Sequence, residues 1–135
     1  MKLILEDSEQ ALSVQELIEF QDGFGAQLPV AFRQFYLEHN GGDLSDSNGD
    51  NDFLLGGFTP IKYGVAPVEV VYRDLVDSLP SLEGLIPFAH DYGGNSYLLS
   101  LRNDDYGKIY LYLMDEDELA FVCASFEEFM AELAG

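Results

Sequence analysis

A chain of 135 residues can bury one hydrophobic core, so a single domain over residues 1–135 is the expectation. Its 25 Asp and Glu against 6 Lys and Arg leave a formal net charge of −19. That charge argues against direct binding to nucleic acid or anionic lipid, since both rely on Lys and Arg to neutralise phosphate. Cys123 is the only cysteine, which excludes an intramolecular disulfide and a cysteine-based zinc site.

No apolar run approaches the roughly 20 residues of a bilayer span. The opening MKLILEDSEQ has one Lys and then acids, unlike a secretory leader, so the cytoplasm is the expected compartment. Residues Leu3 to Leu5 are a weak strand candidate. Ser13-Val14-Gln15-Glu16 is a capping box that starts a helix, with Leu17, Phe20 and Phe24 on one face and Gly23 and Gly25 ending it. Pro29 suits the first turn of a second helix, with Phe32, Phe35 and Tyr36 as its buried stripe and Asn40-Gly41-Gly42 as a left-handed stop. The stretch GDLSDSNGDND, residues 42–52, reads as a long solvated loop, because Asp, Asn and Ser favour turns.

Phe53 to Phe58 is a strand candidate, and Pro67 opens a third helix with Val68, Val71, Tyr72, Leu75 and Leu79 at helical spacing. Leu85 to Ala89 is a further strand, followed by the turn Asp91-Tyr92-Gly93-Gly94-Asn95. In that turn the Asp91 carboxylate can accept amide hydrogen bonds, the glycines supply positive φ, and Asn95 leads into the next strand. Two more strands, around Tyr97 to Leu101 and Ile109 to Met114, flank the turn Asn103 to Gly107. The acidic turn Asp115-Glu116-Asp117-Glu118 leads to a strand at Leu119 to Cys123, and Ser125 caps a closing helix faced by Phe126, Phe129, Met130 and Leu133. The expected fold is α+β, a twisted antiparallel sheet with N-terminal, middle and C-terminal helices packed on it.

Four stretches are candidates for chemistry. As a calcium loop, Gly49 in the sixth position would put Leu44 first and Leu55 twelfth, so both end ligands are missing. His90 and Asp91 resemble an acid–base pair, but neighbours in a strand point to opposite faces, and no nucleophile-elbow serine accompanies them. Cys123 lies on an apolar strand with no electropositive neighbours in sequence, as an inert buried thiol does. Gly93-Gly94 lacks the lysine and the following helix of a phosphate loop. No catalytic residue, cofactor or metal is therefore expected.

The order L-P…F-x-x-F-Y-x-x-x-N-G-G, I-P-F-A-x-D-x-G-G-N, G-K-I-Y and S-F-E-E-F resembles the SUKH superfamily, of the cell-wall-assembly-regulator (SMI/KNR) type. The matching residues are Leu28, Pro29, Phe32, Phe35, Tyr36, Asn40, Gly41 and Gly42, then Ile86, Pro87, Phe88, Asp91, Gly93, Gly94 and Asn95. Gly107, Ile109, Tyr110, Ser125, Phe126 and Phe129 complete them. The resemblance implies an α+β domain without catalytic residues. Many bacterial members look like immunity proteins that neutralise a partner toxin, often one directed at nucleic acid, and eukaryotic relatives resemble regulatory or scaffold interaction modules. Such toxins need basic surfaces, which an acidic inhibitor complements. Two stretches carry acids with no Lys or Arg between them: Asp43, Asp46, Asp50 and Asp52, and Asp115, Glu116, Asp117 and Glu118. These are the candidate contacts to a basic protein partner, with the chain itself a monomer or weak homodimer.

Overall fold

A computed structural model describes residues 3–134. Seven strands form one sheet: β1 Leu5–Glu6, β2 Gly42–Leu44, β3 Leu55–Phe58, β4 Leu85–Asp91, β5 Ser96–Ser100, β6 Ile109–Leu113 and β7 Glu118–Cys123. Each pairs antiparallel with the next in sequence, in the order β1-β2-β3-β4-β5-β6-β7. Four helices, α1 Val14–Asp22, α2 Val30–Glu38, α3 Val68–Ser78 and α4 Phe126–Ala134, complete an α+β arrangement.

Most of the core lies between one sheet face and helices α1, α2 and α4, where Leu17, Phe20, Phe32, Tyr36, Phe126 and Phe129 meet Leu55, Phe58, Phe88 and Leu99. Phe88 is the hub, with the rings of Phe32, Phe126 and Phe129 edge-on at 6.0, 5.7 and 5.4 Å. Such edge-to-face pairs gain quadrupole attraction beyond area burial. A smaller cluster on the opposite face packs Leu82, Leu85, Leu98 and Tyr112 with Leu75 and Leu79. Central strands covered on both sides read as nearly continuous apolar runs, as in LIPFA and YLLSL.

Three local readings change. Residues 42–44 are a strand rather than the start of a solvated loop, because pairing on both sides (Leu5 opposite Leu44, Gly42 opposite Phe58) overrides the weak propensity of Gly-Asp-Leu. α2 ends on His39 in an extended conformation, not on a left-handed glycine. Gly41, at φ 75°, instead lets the chain pass Pro60 so closely that a Cβ would lie 2.7 Å from its nitrogen. In the capping box of α4, Ser125 Oγ accepts from Glu128 N–H at 3.1 Å, but the Glu128 carboxylate accepts from Ala124 N–H, one residue before the cap.

Asn40, read from sequence as part of a helix stop, is a buried clasp. Its amide donates to the carbonyls of Gln10 and Ile61, both at 2.9 Å, and its Oδ1 accepts from Ile61 N–H at 2.7 Å. One side chain thus ties the segment before α1 and the segment before α3 to the end of α2. Asp105, which sequence places in an ordinary turn, also points inward. It accepts from Ser100 Oγ at 2.5 Å and Tyr110 Oη at 2.7 Å, and pairs with the Arg102 guanidinium at 2.5 Å.

Asn40→Ala leaves buried backbone groups of Ile61 and Gln10 without partners, so it is expected to destabilise the protein by about 3 kcal/mol, read from the denaturant midpoint. The Arg102 guanidinium, with Ser100 and Tyr110, holds the Asp105 carboxyl well below its ordinary 3.8 despite burial. A carboxyl depressed in the folded state stabilises fully above its unfolded pKa and loses that contribution as pH falls toward the folded value. Asp105→Asn should therefore cost about 2 kcal/mol near neutrality, less than a fully buried pair because Arg102 is partly exposed. The gap between wild type and variant should close as pH drops below 3.8, and comparing the two cancels the effect of the overall charge.

Candidate functional site: an acid-rich loop end

When every strand pairs antiparallel with its successor, alternate connections fall at opposite ends of the sheet. The β2–β3, β4–β5 and β6–β7 connections therefore share one end. They carry Asp46, Asp50 and Asp52, then Tyr92 to Asn95, then Asp115, Glu116 and Asp117, with no Lys or Arg. Asp43 sits one residue back, within β2 opposite Gly57, and Glu118 opens β7 opposite Leu113. The two acidic stretches singled out from sequence, 60 or more residues apart in the chain, thus belong to one region.

Among the described residues, the three connections at the opposite end hold all the Lys and Arg: Arg33, Lys62, Arg73, Arg102 and Lys108. Two of these are already engaged: Lys62 Nζ lies 2.7 Å from Glu16 and Arg102 lies 2.5 Å from Asp105. Lys62, with Ser13 and Tyr63, holds the Glu16 carboxyl down to about 2. Among the described residues, no salt bridge involves an acid of the three connections at the acid-rich end.

That end is held together by hydrogen bonds across its three connections. Asp91 Oδ1 accepts from Gly93 N–H at 2.9 Å and Asn95 N–H at 2.8 Å, while Asn95 Nδ2 donates to Asp91 Oδ2 at 3.1 Å. The other side of the Asn95 amide accepts from Met114 N–H at 3.1 Å, which joins the β4–β5 turn to the β6–β7 turn. In the other direction Tyr92 N–H donates to the Leu54 carbonyl at 3.0 Å, and Tyr97 Oη to the Phe53 carbonyl at 2.7 Å. Asn51 Oδ1 accepts from Leu55 N–H at 2.8 Å, closing the β2–β3 loop, and Tyr112 Oη donates to Asp117 at 2.8 Å in the last turn.

Only Gly94 of the glycine pair has positive φ, at 87°. A Cβ on Gly93 would make contacts of 3.5 and 3.7 Å, which are ordinary. His90 is not paired with Asp91: it packs over Gly56, whereas the Asp91 carboxylate is spent on its own turn. Burial pushes the Cys123 thiol up to about 11, so it is protonated and a poor nucleophile near neutrality.

Residues that sequence reading missed here are Asn51, Tyr112 and Glu132. Glu132 of α4 lines a cleft with Asp50 and Asp52. The available signal was the absence of any basic residue after Lys108; the separation of 80 residues in the chain hid the juxtaposition.

Gly94→Ala should cost about 1 kcal/mol for holding an L residue at positive φ, whereas Gly93→Ala should be close to neutral. Thermal melts of the two variants measure the difference, and equal losses would contradict this account of the turn.

No helix among the described residues is long and apolar enough to cross a membrane. A search of curated proteins found no match. The profile of the SMI1 / KNR4 family (SUKH-1) matches residues 11–132. That match takes in α1, α2, α3 and most of α4, six of the seven strands and the Asp91 to Asn95 turn, and the chain belongs to this family.

Proposed function

We propose that this chain acts as one domain and as a non-catalytic, acidic protein-binding module of the immunity type. In this reading it sits in the cytoplasm and occludes the working face of a basic toxin, a nuclease or another nucleic-acid-directed enzyme. The observation that carries the reading is the concentration of Asp46, Asp50, Asp52, Asp115, Glu116 and Asp117 at one end of the sheet, on connections that contain no Lys or Arg. Clustered like charges raise the energy of the free surface, and a basic partner relieves that repulsion while being steered toward it from a distance. Family membership supports the class of function and leaves the partner open. Asp43 and Glu118 extend the surface along β2 and β7, and Glu132 adds to it from α4.

The test is to search the neighbouring genes for a toxin domain, co-express the chain with it, and follow binding kinetics with a catalytically inactive form of that toxin. The wild-type chain should protect the cells, and His90→Ala should protect as well, since no histidine chemistry is involved. Changing Asp43, Asp46, Asp50 and Asp52 to Asn, or Asp115 to Glu118 to their amides, should slow association by about tenfold at low salt and flatten its salt dependence. Association unchanged by both variants at every salt concentration would remove the acidic end from the interface. A chain that fails to protect but binds a host regulatory protein would favour the scaffold role that eukaryotic relatives suggest.

A further inference from the structure

The acid-rich end also presents large apolar side chains. Leu54 is 62 % exposed, Tyr92 72 % and Met114 58 %. Each comes from a different connection, and each is tied to the hydrogen-bonded rim through its backbone: the Leu54 carbonyl accepts from Tyr92 N–H, and Met114 N–H donates to Asn95 Oδ1. Scattered exposed hydrophobics need no explanation, but three stitched into one rim, among acids, do.

Leu54 carries a second mark. Its φ is 51°, in the left-handed region that a Leu side chain disfavours. Gly or Asn would fill that backbone position with less strain, so the backbone geometry does not call for leucine there. Strain held by surrounding hydrogen bonds, with an apolar side chain left in solvent, is a pattern of recognition surfaces.

We propose that Leu54, Tyr92 and Met114 are the apolar anchors of a protein interface whose acidic surround steers the partner. The partner surface is basic with an aliphatic or aromatic centre. Aromatic and methionine side chains are enriched in interface cores, and a polar surround excludes water from such anchors. Charge selects the occupant: a second copy of this chain would bring two acid-rich ends together, whereas a basic surface would neutralise one. Anchors and acids divide the work, the anchors limiting dissociation and the acids raising the association rate. The Asp91–Asn95 turn positions the anchors by joining the three backbones.

The inference rests on the protein-binding reading for the class of partner, but its test does not need the toxin. A displayed library of random dodecapeptides is selected against the wild-type protein and counter-selected against a Leu54→Gly/Tyr92→Ser/Met114→Ser variant. The expected winners combine Lys or Arg with a large apolar residue and bind wild type at least about tenfold more tightly than the triple variant. Tyr92→Ala alone should raise the dissociation rate without altering salt dependence, and Asp50, Asp52, Asp115 and Glu116 changed to amides should do the reverse. Leu54→Gly should melt at or above the wild-type temperature while binding more weakly, which separates recognition from folding. Peptides that bind the triple variant equally, winners lacking basic residues, or a selection with no winner would each overturn the proposal. Failure of toxin protection alongside anchor-dependent peptide binding would instead count against the immunity reading and leave the anchors standing.

Discussion

The pairing of each strand with its sequence neighbour is the constraint on which the rest of the structure depends. It needs no crossover, so it sorts the connections into two ends by parity alone. The ends then divide the work. One receives the long connections that contain α1, α2 and α3, the five described cations and the Asn40 clasp. The other receives three connections without α-helices, and the sheet itself gathers their acids into one region. The connections at the first end carry α1, α2 and α3 back over the sheet faces, while at the second end α4 docks on the β2–β3 connection, with Phe129 stacked on Phe53 at 4.5 Å.

A chain with so few cations must fix its important carboxylates by other means. It does so with neutral donors. Asp91 is held by two backbone amides and an Asn side chain, Asp117 by Tyr112, and Glu128 by the Ala124 amide just before α4. Asp105 and Glu16 do have cations, yet both also draw hydroxyls from Ser100 and Tyr110 or from Tyr63. Hydrogen bonds to an ionised acceptor are stronger than neutral pairs. The acid-rich rim can therefore keep its shape without neutralising its charge, and the field that would attract a basic partner survives folding.

Much of this was legible in the sequence. Capping residues Ser13 and Ser125 marked helix starts because caps act within four residues, and alternation in Ile109 to Met114 marked β6 because its two faces meet different surroundings. The Asp91 turn could be read for the same reason, since its main hydrogen bonds span four residues or fewer. What could not be read was non-local. β2 is a strand only because β1 and β3 lie on either side of it, Asn40 acts on Gln10 and Ile61, and Glu132 meets Asp50 and Asp52 through the docking of α4. The acidic stretches were visible as composition, but their coincidence at one end followed only from the strand order.

The exposed anchors show how the rim separates frame from content. Leu54, Tyr92 and Met114 join the frame through a carbonyl and two amide N–H groups, which every residue but proline possesses. All three side chains are more than half exposed. In the turn Asp91 to Asn95, Asp91 and Asn95 make the bonds and Gly94 takes the positive φ. Tyr92 carries the outward side chain. A different residue there would leave the turn's bonding intact and change only what a partner meets. Recognition could then be altered at little cost to stability, which is the physical condition under which one scaffold serves many partners.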